Sequence, residues 1–161
     1  MPVFFYIQQV FPDAESRKKP EWLKGPLGGQ MEIDIYFEFN AKKIGIEYDG
    51  VRWHDEIKRP SDIHKNKVAK EHGIEIIRIR ENGCPELPGN IRCIKRQNNN
   101  KRQDLAEAIR QLFTALDLPL PKAGIDIKRD TAAINALIRK DTVTQALDAA
   151  NSLDELSIVA A

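Results

Sequence analysis

The sequence predicts an α/β domain in which helices flank a mixed β-sheet. Two strand-like runs at 31–37 and 43–49 are joined by a short connection. An isoleucine-rich run at 74–80 follows a helical segment, and residues 102–117 carry apolar side chains at helical spacing. The predicted order, α-β-β-α-β and then α, is typical of a sheet with both parallel and antiparallel neighbours.

The first predicted element is a short helix over residues 2–11. It begins with Pro2, a residue favoured in the first turn of a helix, and its apolar residues recur at helical spacing. Pro12 and the charged stretch up to Pro20 end it. Residues 24–30 carry three glycines and a proline, which predicts a turn.

The next two runs predict a β-hairpin. If its turn centres on Asn40-Ala41, Asp34 lies opposite Glu47. Alternate side chains of a strand share one face, so we expect the isoleucines of both strands, Ile33 and Ile35 among them, to point to the core. The acids then share the opposite face, and they are Glu32, Asp34, Glu47 and Asp49.

Beyond Gly50, a polar loop carries Trp53 and His54. Ser61-Asp62 is a typical N-cap signal and Gly73 a typical C-terminal stop, so we expect a helix over 62–72. Two further segments follow: a strand at 74–80, and a run at 91–94 that is compatible with another short strand.

The last predicted core element is the amphipathic helix over 102–117, which we expect to pack on the sheet. The PLP sequence at 119–121 breaks the chain. Two weaker helices are predicted at about 129–140 and 142–150, before a tail of small residues. The predicted division is therefore a core domain, 1–118, and a helical C-terminal extension, 119–161.

The electrostatic repulsion between the carboxylates on this face of the hairpin must be offset. Two like charges about 4 Å apart repel by roughly 4 kcal/mol at an effective dielectric constant near 20. Solvent exposure, protonation, lysine or arginine partners, or a divalent cation could offset that repulsion. A carboxylate cluster suits Mg²⁺, which prefers oxygen ligands. The alternative is a solvated sheet face partnered by Lys42 and Lys43.

The motifs of this region carry a family resemblance. MEIDIYF, IGIEYDGVRWH and DIHKNKVAKEHGIEIIRIRE, within residues 31–81, resemble the very-short-patch-repair-like branch of the PD-(D/E)XK nuclease superfamily. The similarity is greatest to bacterial members that often carry zinc-ribbon modules. It extends weakly to FYIQQVFPDA and KPEWL at the start and to IDIKRD at 125–130. The resemblance implies a restriction-endonuclease-like fold and Mg²⁺-dependent cleavage of DNA, with Mn²⁺ as a possible substitute.

The resemblance also implies roles for individual residues. Asp34 matches the metal-binding aspartate and Glu47 the second acid of the motif. Asp49 stands where the superfamily pattern has lysine, so no lysine at that point positions the attacking water. Asp34, Asp49 and Glu47 are the implied metal ligands. His54 matches the histidine after the tryptophan, as a general base or a water-orienting group, although a surface histidine is the alternative.

Basic residues indicate where DNA could bind. Residues 88–102 include five basic residues and no acid, which suits either a phosphate-binding segment or a solvated loop. Arg78 and Arg80 face away from the core side, toward either solvent or the acids. The candidate nucleic-acid-binding residues are Lys65, Lys67, Lys95, Arg96, Lys101 and Arg102.

Composition excludes several classes of protein. The 161 residues carry a formal net charge of +1, so overall charge does not decide for or against nucleic acid. No apolar run approaches the length of a membrane span, and the N-terminus lacks the layout of a signal peptide. The two cysteines are too few for a disulfide framework or a four-cysteine zinc site. We therefore expect a soluble, cytoplasmic protein.

The function predicted from these observations is a Mg²⁺-dependent DNA endonuclease or nickase. An alternative is a DNA-binding module that keeps the fold but does not cleave. A third hypothesis is a structural or interaction protein whose acidic face is merely solvated. The sequence leaves open the DNA site, the number of strands cut, the oligomeric state, and whether the role is in repair, restriction or a mobile element.

Overall fold

The computed structural model describes residues 1–159, with side chains through residue 140 and at 142–144 and 146. Four helices and five strands are assigned in this part of the chain. In chain order they are α1 (Pro2–Val10), β1 (Glu15–Lys18), β2 (Ile33–Phe39), β3 (Lys42–Asp49), α2 (Arg59–Glu71), β4 (Ile74–Arg80), β5 (Arg92–Lys95), α3 (Arg102–Ala115) and α4 (Ile127–Val159).

The five strands form one mixed sheet in the order β1-β2-β3-β4-β5. The β1–β2 and β2–β3 pairs are antiparallel, and the β3–β4 and β4–β5 pairs are parallel. One hydrophobic cluster joins the sheet to α1, α3 and the start of α4, and a second, smaller cluster joins it to α2. The predicted α/β class, a mixed sheet flanked by helices, is confirmed.

The hairpin has the predicted register. Ile35 pairs with Ile46 and Tyr36 with Gly45, as a turn centred on residues 40 and 41 requires. Asn40 and Ala41 both have positive φ, 49° and 60°, which is the backbone of a two-residue type I′ turn.

Strict alternation fails at the start of β2. Ile35 lies in the larger cluster, whereas Ile33 lies in the smaller one beside α2, so the expectation that both share one core is wrong. The recorded β2–β3 pairing ends at Ile35, and beyond it the Asp34 carboxylate accepts the hydrogen bond of the Tyr48 N–H. Ile33 still pairs with Lys18 of β1, so the departure from alternation lies where β2 loses its pairing with β3.

Strand β1 was not predicted from the sequence. Its residues, Glu15–Lys18, alternate between exposed and partly buried, and none of them is apolar. It is an edge strand that pairs only with β2. The hydrogen-bonding edge of β2, rather than a hydrophobic pattern, places it.

The C-terminal segment is one helix instead of two. α4 continues to Val159, through the predicted break near residue 141 and the predicted small-residue tail; residues 160 and 161 lie outside the described residues. Residues 125–161 contain no glycine or proline that would end a helix. Its first turns pack on the core, because Ile127 and Ile134 are buried there and the Tyr6 hydroxyl donates to Asp130 at 2.8 Å.

Within residues 1–159, none of the helices combines the length and the apolar character that crossing a membrane requires.

Candidate metal and catalytic site

The candidate site lies on the sheet face covered by α2, toward the C-terminal ends of the parallel strands β3 and β4. Glu47 and Asp49 point to this face because they alternate with Ile46, which lies in the core on the other side. Arg78 and Arg80 do the same on β4, where they alternate with isoleucines. The loop after β3 and the first turns of α2 supply the remaining residues of the site.

Asp34 and Glu47 adjoin at the start of the site, as predicted. The Asp34 carboxylate accepts the Tyr48 N–H at 2.9 Å, and Glu47 Oε1 lies 3.3 Å from the Asp34 backbone nitrogen. Burial raises the pKa of Asp34. Burial also raises the pKa of Glu47 to about 7, although Lys65 acts in the opposite direction. These two carboxylates therefore have less positive charge around them than their ionised forms need.

Lys65 reaches the site from α2. Its Nζ donates to Glu47 Oε2 at 2.6 Å, and only 10% of its side chain is exposed. Lys65 is among the nucleic-acid-binding residues predicted from the sequence, which also allows the alternative that Lys65 or Lys67 faces the site; it is Lys65 that lies against the acids. The site thus contains a lysine, supplied by the helix and not by β3.

Asp49 is completely buried and already paired with two guanidinium groups. Arg78 donates to it from Nε at 2.7 Å and from Nη2 at 3.0 Å, and Arg80 Nη1 donates to Oδ2. His54 Nδ1 lies 3.5 Å from Oδ1. Both carboxylate oxygens of Asp49 therefore have partners within the chain.

His54 is oriented by Asp62. Its Nδ1 lies 2.9 Å from Asp62 Oδ2, so in the tautomer that donates there, Nε2 is free to accept a proton. Burial alone would raise the pKa of Asp62, but the hydrogen bond from His54 and the charge of Arg78 lower it. The predicted N-cap role of Asp62 is wrong: Lys58 is the N-cap of α2 and no side chain caps it. Asp62 is 1% exposed, one turn inside the helix.

Asp49, His54 and Asp62 form a group that could hold a metal ion. One potential ligand atom from each lies within 4.8 Å of the others. Asp49 and Asp62 are nevertheless hydrogen-bonded to Arg78 at 2.7 Å and 3.1 Å, so a cation bound there would compete with a guanidinium group. The donor chemistry fits a metal, but this half of the site is already neutralised.

Charge divides the site into two halves. Four carboxylates, those of Asp34, Glu47, Asp49 and Asp62, face three cations, Lys65, Arg78 and Arg80, which leaves a formal charge of −1 with neutral histidine. Arg78 and Arg80 hydrogen-bond to the Asp49–Asp62 half. The Asp34–Glu47 half has the Lys65 hydrogen bond at 2.6 Å and a longer ion pair, 3.8 Å, between Glu47 and Arg78. A bound cation would therefore stabilise the Asp34–Glu47 half more than the Asp49–Asp62 half.

The fourth acid of the site is Asp62, and not Glu32 as the strand pattern predicted. Glu32 forms ion pairs with Arg17 at 3.0 Å and with Lys19 at 3.6 Å, near the outer strand. The sequence analysis missed Asp62, and it left Arg78 and Arg80 undecided between solvent and the acids. The signal for Asp62 was its spacing three residues before Lys65, which places both on one helix face.

The predicted nucleic-acid-binding residues divide by exposure. Lys67 and Lys95 have exposed side chains, 74% and 60%. Arg96 is buried and bonds to the Tyr48 hydroxyl and to backbone carbonyls of the loop at 98–101, so it holds that loop in place. Lys101 and Arg102 are exposed at the start of α3.

Comparison of the chain with protein-family models, with curated proteins and with solved structures finds no match.

Proposed function

We propose that this protein is a Mg²⁺-dependent DNA endonuclease or nickase with a restriction-endonuclease-like core. The observation that carries the proposal is the cluster of four carboxylates: the half-buried Asp34 beside Glu47, and the buried Asp49 and Asp62 beside His54. The resemblance of the sequence motifs to very-short-patch-repair-like nucleases supports the same function. The residues for which it implies catalytic or metal-binding roles are Asp34, Glu47, Asp49 and His54.

The burial of these charges supports a functional origin. Moving an ionised group out of water costs several kcal/mol even after relaxation of the protein, and apolar residues often stabilise a core as well or better. This face of the sheet could have been filled by isoleucine, as the opposite face is. Clustered ionisable groups with shifted pKa values are typical of catalytic sites.

Asp34 and Glu47 are the residues best placed to hold Mg²⁺, with Asp49 as a third ligand. Their carboxylates are hard oxygen donors, and their nearest guanidinium contact is longer than those of the other half, at 3.8 Å from Arg78 to Glu47. Mg²⁺ held by these residues would supply the positive charge that neutralises phosphoryl oxygens and lowers the pKa of water. Mn²⁺ has the same ligand preference and is the expected substitute.

The other polar residues act on protons and on charge. His54, held through Nδ1 by Asp62, presents Nε2 as the base that takes a proton from the attacking water. Lys65 compensates for the motif lysine that Asp49 replaces, because its ammonium group bonds to Glu47 and can orient water or stabilise negative charge there. Both residues are brought to the site by α2 and the loop before it.

DNA is the proposed substrate because exposed basic residues lie near the same end of the sheet. Lys95 ends β5, Lys101 and Arg102 follow it, and the loop after β3 carries an exposed Trp53 beside Arg52. Cations of this kind bind the phosphate backbone, and an aromatic ring can stack on a base.

The test is cleavage of supercoiled plasmid and of a mismatch-bearing duplex with Mg²⁺, with Mn²⁺ or with EDTA. Wild type should cut only with a divalent ion, and Asp34→Ala should lose cleavage. Glu32→Gln is the matched control, because it removes an acid two residues away in the same segment, and it should cut normally. Nicked or linear product distinguishes one-strand from two-strand cleavage. Absence of cutting under every condition contradicts the proposal.

A second candidate function is a DNA-binding module that does not cleave. One observation favours it: Arg78 and Arg80 already occupy the Asp49 carboxylate, which a catalytic metal would share. It predicts metal-independent DNA binding in the same experiment, unchanged in Asp34→Ala.

A further inference from the structure

The two arginines of the site differ in how firmly they are held. Arg78 is completely buried and donates to three side chains: to Asp49 from Nε and Nη2, to Asp62 from Nη2, and to Asn66 from Nη1 at 2.7 Å. All three nitrogens of its guanidinium have side-chain acceptors. Arg78 is therefore a fixed part of the site.

Arg80 is the exchangeable cation. It donates from Nη1 to the same Asp49 oxygen that accepts Arg78 Nε, and from Nη2 to the Pro85 carbonyl at 3.0 Å. Arg78 alone gives Asp49 two hydrogen bonds. If Arg80 left, the Asp49 carboxylate would still be paired, so the departure avoids the large penalty of an isolated buried charge.

Arg80 also borders a cavity that an anion could enter. The cavity has a volume of about 270 Å³, and its charged lining residues are Arg80, Lys95, Arg96, Glu81 and Glu86. It lies at the C-terminal ends of β4 and β5, the edge of a parallel sheet where ligands commonly bind. Lys95 is paired with Glu86 and Arg96 with Glu81, whereas the acids that hold Arg80 lie outside the cavity lining, so Arg80 leaves the lining with a net positive charge.

We propose that Arg80 is a phosphate-binding residue of the nuclease site. It stays bonded to Asp49 until a divalent cation and a nucleic-acid phosphate are both present. This inference rests on the proposed function. A guanidinium pairs bidentately with phosphate as it does with carboxylate, so the phosphodiester offers Arg80 an equivalent partner. Asp49 Oδ2 then loses one of its two guanidinium donors, and the lone pair that this frees can bind the cation.

The proposal predicts reciprocal coupling between two ligands. A metal ion bound to the carboxylates strengthens the binding of phosphate by Arg80. By the same amount, phosphate bound to Arg80 strengthens the binding of the metal ion to Asp49. Without nucleic acid, Arg80 competes with the metal and weakens its binding. Removing the guanidinium should therefore strengthen metal binding in the free protein and weaken the coupling.

The experiment measures Mn²⁺ affinity by electron paramagnetic resonance, with and without a short DNA duplex whose phosphorothioate linkages resist hydrolysis. In the free protein, Arg80→Met should bind Mn²⁺ about tenfold more tightly than wild type. The duplex should tighten Mn²⁺ binding about fivefold or more in wild type and clearly less in Arg80→Met, where only the direct contact between metal and phosphate remains. Arg80→Lys, which keeps a cation, should retain the weaker binding of the free wild type.

Lys95→Met is the matched control, because it removes a cation from the same cavity without touching Asp49. It should weaken DNA binding but keep the wild-type Mn²⁺ affinity and the coupling. Equal Mn²⁺ affinities in wild type and Arg80→Met overturn the inference and leave the proposed function standing. Absence of Mn²⁺ binding in wild type overturns both. If Arg80→Met does not fold, Arg80→Gln, which is neutral and can still donate to the Pro85 carbonyl, takes its place with the same expected results, and Mn²⁺ affinities equal to those of wild type overturn the inference.

Discussion

Glu47 makes the stability of this protein depend on pH in a direction opposite to that of most carboxylates. Burial raises its pKa from 4.5 to about 7 in the folded chain. A raised pKa means that the fold favours the protonated form. The contribution of Glu47 to stability is therefore complete below pH 4.5 and is lost as the pH rises through 7.

The size of the effect follows from the shift in pKa. A change from 4.5 to about 7 corresponds to about 3 kcal/mol between the two protonation states. Because Gln stays neutral and its side-chain oxygen can still accept from Lys65, Glu47→Gln should remove this dependence. Between about pH 5 and about pH 8.5, wild type should lose about 2.5 kcal/mol of unfolding free energy relative to the variant.

Urea unfolding at several pH values, in EDTA to exclude metal ions, measures this difference. The variant Glu107→Gln is the matched control, since it removes an exposed acid of α3 that pairs only with side chains on its own helix. Its stability should run parallel to wild type across the range. A difference between wild type and Glu47→Gln that does not change with pH would show that Glu47 is ionised without strain, and the reasoning from burial would fail.

Three further substitutions have defined outcomes. Arg78→Met removes two hydrogen bonds from the buried Asp49 and one from Asp62, and it should lower the unfolding free energy by about 3–5 kcal/mol; urea unfolding that matches wild type would contradict this. Ala41→Gly relieves the steric strain of a residue with φ of 60°. It should raise the unfolding free energy by about 1 kcal/mol and with it the melting temperature; a lower melting temperature would contradict the turn geometry. Gly45→Ala places a methyl group 3.1 Å from Ile33 and Ile76 side-chain atoms and should cost about 1–3 kcal/mol; an unchanged urea midpoint would show that these side chains yield freely.

The hairpin could be predicted from the sequence because its determinants are local. The position of the Asn40-Ala41 turn fixes the register, and that register brings Asp34 beside Glu47. Alternation then places Glu47 and Asp49 on one face. Strand β1 could not be predicted in this way, because a four-residue edge strand of polar residues has no hydrophobic period and depends on the partner that β2 offers.

Asp62 and Lys65 show where local reasoning fails in the site. A helix start rich in polar residues is most often solvated, and Ser61-Asp62 has the composition of an N-cap. The helix instead begins at Arg59, which turns Asp62 toward His54 and Arg78 and directs Lys65 to Glu47. Which side of α2 faces the sheet is a tertiary property, so the partners of these residues could not be read from the chain.

The predicted repulsion of the acids and the observed compensation together explain the asymmetry of the site. Three basic side chains reach the acids, and two of them, Arg78 and Arg80, come from β4, which lies beside β3. They neutralise the end of β3 at Asp49, whereas Asp34 comes from β2, a strand away from those arginines. Its neighbour Glu47 keeps a single short ion pair, with Lys65. The topology of the sheet thus leaves the hairpin carboxylates as the part of the cluster where a divalent cation has most to add.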